Sequence, residues 1–290
     1  MSKTAFIKKL IQDQKGEIAV VSTLFFLATA VFWILKPIKK GVFISHFTTN
    51  SVEFLGTRLG GAQAEQLAKL SIVLTALLVA YLFSVAIRHF QMRNVFLWTT
   101  VLGAIGCIFF SSNLQTANST FIWSFYIFGD ILNSLILILL WSILHNTFRL
   151  KDAKCAFTLV TLSGLVGGVS GTFFVQQTLL YFGREKIILI CAGIVGLISL
   201  IGSNYLAKKN NQIESIVSND LILDEVSVSG NPKEHSFDWR FLAKLKYWVA
   251  IGLIVGLYEM VSGIIDFQLS LTVEKINGSA LQKDVYFGYV

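Results

Sequence analysis

Residues 121–144 read FIWSFYIFGDILNSLILILLWSIL, and this stretch decides the class of fold. As a helix it is long enough to cross the ~30 Å hydrocarbon core of a bilayer. Similar apolar stretches are predicted at residues 18–35, 68–87, 95–112, 157–180, 187–206 and 247–267. None shows the alternation of a β-barrel strand. The sequence therefore predicts an all-α polytopic membrane protein with about seven transmembrane helices.

The composition agrees with a lipid environment. The chain is 54% hydrophobic, its mean hydropathy is +0.67, and 14% of its residues are charged, against roughly 25% in ordinary soluble domains. The formal net charge of +7 does not indicate a nucleic-acid binder, because no basic soluble domain is present to carry it. Most of the positive excess lies in short loops, where it sets the orientation of the helices.

The basic residues predict which end faces the cytoplasm. They are concentrated at the N-terminus, in the loops after the second and fourth stretches, and in the long connection after the sixth. The positive-inside rule therefore places the N-terminus in the cytoplasm. A cleaved signal peptide is the alternative, because Ala28-Thr29-Ala30 resembles a cleavage site, but the apolar run continues past it to Leu35. A bacterial inner membrane is the simplest location.

Residues 207–246 form the one long polar connection and are predicted to be a flexible cytoplasmic linker. A six-helix transmembrane bundle at 1–206, this linker, and a new span within 247–290 match the layout of transporters built from two six-helix halves. Residues 286–290 are predicted to begin an eighth helix. We therefore expect the chain to contain the first half of such a protein and the truncated start of the second.

Three lysines directly follow the first apolar stretch, on the side opposite the basic loops: Lys36, Lys39 and Lys40. Helical spacing places Lys36 and Lys40 on one face, with Lys39 beside them. They can be interfacial anchors whose ammonium groups reach the headgroups, or they can bind an anion such as phosphate. Their position on the non-cytoplasmic side favours contact with an anion.

Acidic and amide side chains inside the apolar stretches are the second group of candidates. Asp130 lies within residues 121–144, and Asn133 follows one turn later. A carboxylate at membrane depth is costly unless it pairs with a base, carries a proton or shapes a substrate site. Glu259 and Asp266 in the last stretch, with Gln268 near its end, are candidates for gating or coupling by the same reasoning. A purely structural ion pair is the alternative.

Residues 163–171 contain two overlapping GxxxG pairs, Gly164 with Gly168 and Gly167 with Gly171. Such pairs predict close packing between helices, and a backbone that lines a substrate path is the alternative. No Gly-Lys-Ser/Thr follows, so the run is not a phosphate-binding loop, and we do not expect ATP hydrolysis.

The sequence contains no recognisable catalytic or metal-binding pattern. The cysteines are expected to be packing residues and the histidines lack ligand spacing. No Ser/His/Asp or Cys/His arrangement recurs. We therefore expect a protein that is not an enzyme, with no metal, no cofactor and no evident protein partner. The residues concerned are Cys107, Cys155, Cys191, His46, His89 and His145.

Several short pieces resemble the plastid and bacterial ATP/ADP translocases, the NTP/NDP antiporters. Residues 34–40, Ile-Leu-Lys-Pro-Ile-Lys-Lys, resemble the Ile-Leu-Arg-Asp-Thr-Lys-Asp that ends the first helix of that family. Residues 126–130, Tyr-Ile-Phe-Gly-Asp, are similar to a stretch in which an acidic residue follows a Tyr by four positions. Trp141 and Asn146 match its Trp-x-x-x-x-Asn, and Ala153-Lys154 with the following glycines is similar to its Ala-Lys-Arg and glycine run. The likeness extends from about residue 18 to residue 268.

The resemblance implies a major-facilitator-like antiporter that exchanges nucleotides of the ATP/ADP type by alternating access. Lys36 and Lys39 are implied to hold phosphates, with Lys40 adjacent, while Asp130 gates the path or pairs with a lysine. The chain departs from the family where Asp130 replaces a Glu and where Pro37-Ile38 and Lys40 make the first cluster more basic. The Gly-x-x-x-Asp-Arg pattern of many major facilitators is missing after the second stretch.

Two other functions stay open. The same fold can carry another organic anion or a proton-coupled solute. A non-transporting membrane anchor or scaffold is the third possibility, and the acidic residue at position 130 argues against it, because Leu would suit a mere anchor better.

Overall fold

The structure, a computed structural model, describes residues 15–54, 56–148, 153–220, 240–276 and 279–288. Several segments used in the sequence analysis lie outside the described residues. They are the basic leader before residue 15, the loop residues 149–152, the middle of the predicted linker at 221–239, and residues 289–290.

The described residues form seven helices and one two-stranded hairpin. In chain order these are α1 (Lys15–Thr49), β1 (Val52–Phe54), β2 (Thr57–Leu59), α2 (Gly61–His89), α3 (Met92–Asn113), α4 (Ser119–Thr147), α5 (Ala153–Asp220), α6 (Arg240–Lys275) and α7 (Ala280–Gly288).

Six of these helices are long and apolar enough to cross a membrane, by length and composition. The chain is therefore an α-helical multi-pass membrane protein. The apolar part of α5, Ala156–Asn210, has 55 residues, about 80 Å as one straight helix, whereas the hydrocarbon core is ~30 Å thick. Gly183 breaks α5, with φ 76° and ψ 168°, a conformation that is essentially restricted to glycine. The two arms of α5 correspond to the predicted stretches 157–180 and 187–206.

The first helix is longer than its apolar stretch. The sequence predicts an end near residue 35, but α1 continues to Thr49. Lys36, Lys39 and Lys40 therefore lie in the interior of α1 rather than after it, which corrects their predicted position. The charges lower the hydropathy there, but burial of Phe43 and Phe47 in the following turns stabilises the helix beyond them.

A short hairpin, which the sequence analysis does not predict, connects α1 to α2. Its strands are antiparallel, with Val52 opposite Leu59 and Glu53 opposite Arg58. Gly56 has φ 77° in the turn, a conformation that favours glycine. Strands this short show too little alternation to be recognised in the sequence.

Helix α1 lies at the centre of the packing, in contact with α2, α4 and α7. The first arm of α5 also packs against α1, because Gly167 and Gly171 allow the backbone of residues 26 and 30 to approach closely. Thr29 Oγ1 donates a hydrogen bond of 2.8 Å to the carbonyl of Gly164, and Gly168 faces the indole of Trp33. The glycine-rich stretch is thus a helix–helix contact in the structure.

The described chain divides into two compact units. The first contains the described residues up to Lys209 together with those from Val273 onward, and the second contains Asn210–Thr272. Helical structure extends into both ends of the predicted linker, since α5 reaches Asp220 and α6 begins at Arg240. No Gly or Pro interrupts residues 207–220. The segment 247–290 is divided between the units, and α7, with nine residues, belongs to the first.

Candidate functional site

An ion pair inside the first unit joins α1 to α4. The ammonium group of Lys39 contacts the Oδ1 of Asp130, and the two side chains are 5% and 27% exposed. Gly129 provides space for the lysine, because a Cβ at that position would lie 3.0 Å from the Cδ of Lys39. Both residues belong to helices of membrane-spanning length, where an ionised side chain needs a partner.

A second cluster joins α1 to α2 through the carboxylate of Glu65, which is 1% exposed. Its Oε1 lies 3.6 Å from the Nζ of Lys40 and 3.4 Å from the Nζ of Lys69. Tyr126 of α4 donates a hydrogen bond of 3.1 Å to the same oxygen. The two adjacent lysines of α1 therefore have different partners, Lys39 on α4 and Lys40 on α2.

Aromatic rings contact both ends of the lysine segment. The Nζ of Lys39 lies 4.9 Å from the ring centroid of Tyr126, and the Nζ of Lys36 lies 4.6 Å from that of Trp33. A cation at this distance from an aromatic face is attracted by the ring quadrupole. Tyr126 thus contacts both ion pairs, through its ring on one side and its hydroxyl on the other.

Asn133 lies one turn after Asp130 on α4 and is 5% exposed. In the described part of the chain, its Nδ2 has no hydrogen-bond partner. A buried donor without an acceptor costs roughly 1–3 kcal/mol. An acceptor group of a ligand bound beside Asp130 would recover that cost.

Asp130 also faces a cleft of about 240 Å³ between α2 and α4. Asp130 is the one charged residue among those that line it, and Ser134 is the other polar one. The remaining lining residues are apolar: Ile72, Ala76, Val79, Ala80, Phe83, Ile131, Leu135 and Ile138. The carboxylate is therefore accessible from one side, whereas Lys39 is enclosed.

A larger cavity of about 420 Å³ lies where α1 ends and α4 begins. Phe47 and Trp123 contribute aromatic surface to it, and Asn50 and Ser119 contribute polar groups. A series of packed aromatic rings lies between this cavity and the lysines. Their centroids are separated by 6.0 Å for Phe47–Trp123, 5.3 Å for Phe43–Trp123 and 4.8 Å for Phe43–Tyr126.

Helix α7 packs against α1 beside the lysines. Gly41 permits this approach, because a Cβ there would overlap with the carboxylate of Asp284. Arg184, next to the break in α5, donates to both carboxylate oxygens of Asp284, from Nε at 2.5 Å and from Nη2 at 2.8 Å. Burial raises the pKa of Asp284 to about 6, an effect that the guanidinium partly offsets. The Nζ of Lys40 lies 4.9 Å from the ring centroid of Phe287.

The carboxylate of Glu274, near the end of α6, caps the start of α2. It accepts hydrogen bonds from the backbone N–H groups of Gly61 at 3.0 Å and Ala62 at 3.1 Å, and from Thr48 Oγ1 at 3.0 Å. The first N–H groups of a helix have no partner within the helix, and its N-terminus favours negative charge. Glu274 and Asp284 thus attach the described residues on either side of positions 277–278 to α1, to the start of α2 and to Arg184 of α5.

The structure pairs the predicted Lys39 with Asp130 and places Asn133 one turn after Asp130 on α4. Lys36 and Lys40 lie near Lys39 along α1. The predicted gating residues Glu259, Asp266 and Gln268 lie on α6, in the second unit, and stay predictions.

The sequence did not predict a role for Glu65, Lys69, Arg184, Glu274 or Asp284. A signal was present for the first two: Lys69 lies inside the predicted stretch 68–87, and Glu65 precedes it at the i, i+4 spacing of a helical ion pair.

No protein family, curated protein or solved structure matches this chain. The likeness of its short motifs to the ATP/ADP translocases accordingly stays an expectation.

Proposed function

We propose that this chain is part of a membrane carrier that exchanges nucleotides of the ATP/ADP type, with a major-facilitator-like fold and alternating access. The observation that carries the proposal is the Lys39–Asp130 ion pair between two helices of membrane-spanning length. Ionised residues within membrane-spanning helices are rare, and in transport proteins they mark the path of the substrate. A buried pair is weak support for stability, since an apolar pair of similar volume often serves as well.

The pair offers a mechanism for obligatory exchange. In the empty carrier, Asp130 neutralises Lys39. An incoming phosphate displaces the carboxylate and takes over the ammonium group, while the freed Asp130 faces the cleft between α2 and α4. A carrier without substrate keeps the α1–α4 pair and reorients poorly. Release of the pair by substrate on either side then permits the conformational change.

Glu274 and helix α7 support the same proposal. With the predicted orientation, α7 and the Glu274 cap lie at the non-cytoplasmic end of the first unit, where Asp284 and Arg184 attach α7 beside Lys40. Lys40 is therefore covered from that end.

The cavity at the end of α1 and the start of α4 is the candidate position for a nucleobase. Trp123 offers ring surface there, and Asn50 and Ser119 offer polar groups, which is the mixed lining that suits a heteroaromatic ring.

A carrier of another organic anion is the second candidate. The observation in its favour is the apolar lining of the cleft at Asp130, which suits a substrate less polar than a nucleotide.

Uptake of labelled ADP into cells that express the full reading frame tests the proposal. We expect uptake that depends on an internal counter-nucleotide, that unlabelled ATP inhibits, and that Lys39→Ala abolishes. Lys208→Gln, which removes one exposed charge on α5, is the matched control and should transport normally. Unchanged kinetics in an inserted Lys39→Ala protein would contradict the proposal. Inhibition by other organic anions, without inhibition by nucleotides, would favour the second candidate.

A further inference from the structure

Three donors from three helices converge on one buried oxygen, the Oε1 of Glu65. The hydroxyl of Tyr126 on α4 lies 3.1 Å away, the Nζ of Lys69 on α2 3.4 Å, and the Nζ of Lys40 on α1 3.6 Å. Glu65 is 1% exposed, so this arrangement is part of the interior of the first unit.

The two ammonium contacts are longer than a well-formed charge-assisted hydrogen bond, which measures about 2.7–2.9 Å between nitrogen and oxygen. A carboxylate oxygen offers about two lone-pair sites, so three donors at this oxygen share its accepting capacity. A terminal phosphoryl group has three strongly accepting oxygens and about twice the charge of a carboxylate. It can offer a separate oxygen to each donor.

We propose that Lys40, Lys69 and Tyr126 form a phosphoryl-binding subsite, which Glu65 occupies while no anion is bound. The subsite deepens the proposed function and rests on it for the identity of the transported substrate. It assigns a second phosphoryl group of the substrate to Lys40 and Lys69. The first phosphoryl group is the one that displaces Asp130 from Lys39. The substrate class is then an anion with at least two linked phosphoryl groups.

Tyr126 connects the two subsites. Its ring contacts the ammonium group of Lys39, and its hydroxyl contacts Glu65. A chain of phosphoryl groups that passes along this side chain reaches both positions. The side chain of Lys69 is 35% exposed, whereas that of Lys40 is 7% exposed, so the anion reaches the subsite from the α2 side.

The test is equilibrium binding of inorganic pyrophosphate and of inorganic phosphate to the purified full chain in detergent. We expect the wild-type protein to bind pyrophosphate more tightly than phosphate. Lys69→Gln, at a partly exposed position that tolerates substitution, should raise the Kd for pyrophosphate about tenfold and leave the weak binding of phosphate nearly unchanged. Arg88→Gln, which removes an exposed charge near the other end of α2, should change neither constant.

Glu65→Gln tests the internal competitor. It removes the anion that pyrophosphate must displace, so the Kd for pyrophosphate should fall about tenfold or more. Any of three results overturns the subsite. The first is equal binding of the two anions by the wild type, and the second is an unaltered Kd for pyrophosphate in Lys69→Gln. The third is an unaltered or raised Kd for pyrophosphate in a folded Glu65→Gln protein. Nucleotide exchange with a wild-type KM in Lys69→Gln would refute the subsite and leave the proposed function standing. If pyrophosphate binds as expected but no nucleotide is transported, the subsite stands and the proposed function is refuted.

Discussion

The energetic coupling between Lys39 and Asp130 is the sharpest test of the structure. Three variants separate the pair from its surroundings: Lys39→Met removes the ammonium group, Asp130→Leu removes the carboxylate, and the double variant removes both. Met and Leu replace the charged side chains with apolar ones that suit the interior of the bundle.

The structure predicts that the two single variants are unequal. Asp130→Leu leaves the ammonium group of Lys39 without its carboxylate on a side chain that is 5% exposed, and loss of one partner of a buried pair costs about 3–5 kcal/mol. Lys39→Met leaves a carboxylate that is 27% exposed at the cleft, so solvent relieves part of the penalty, which we place at about 1–3 kcal/mol. The double variant should lie within about 1 kcal/mol of the wild type.

The measurement is the free energy of unfolding in mixed micelles, from denaturant titrations of all four proteins. We expect a coupling energy of at least about 2 kcal/mol between the two positions. Additive effects, or a Lys39→Met variant less stable than Asp130→Leu, would refute the assignment of this pair as buried and unequally exposed.

Three further predictions concern stability in detergent. Glu274→Gln should weaken the cap on α2 and cost about 1–2 kcal/mol, visible as a lower Tm. Gly183→Ala should destabilise the protein by about 1–3 kcal/mol, because the break in α5 requires a glycine conformation. Gly193→Ala is the control, since a Cβ added there has no neighbour within 4 Å. It should be neutral or slightly stabilising in the same melting assay. Burial raises the pKa of Asp284 from 3.8 to about 6, so the folded protein holds this proton more tightly than the unfolded chain does. The free energy of unfolding should therefore increase as the pH falls from about 7 to about 4. A pH series of melts in which Asp284→Asn shows the same pH dependence as the wild type would contradict that sign.

The membrane-spanning character of the chain was predictable from local sequence. An uninterrupted apolar stretch as long as the hydrocarbon is thick has few alternatives to a transmembrane helix, since each unsatisfied backbone group in lipid is costly. Asp130 and the lysines at 36–40 were recognisable as candidates for the same reason, because a charge in such a stretch needs an explanation. The bounds of α1 were not predictable, because the turns after Lys40 are stabilised by packing of Phe43 and Phe47.

By itself, the sequence determined that the chain crosses a membrane as several helices and that a few charged side chains lie among them. Only the tertiary structure decided which charges meet. Lys39 and Lys40 are adjacent in the chain, yet the direction of each Cβ from α1 sends one to Asp130 on α4 and the other to Glu65 on α2. Hydropathy depends on each residue's own transfer free energy. The partner of a charge depends on how separate helices are rotated and packed against one another, which no local pattern specifies.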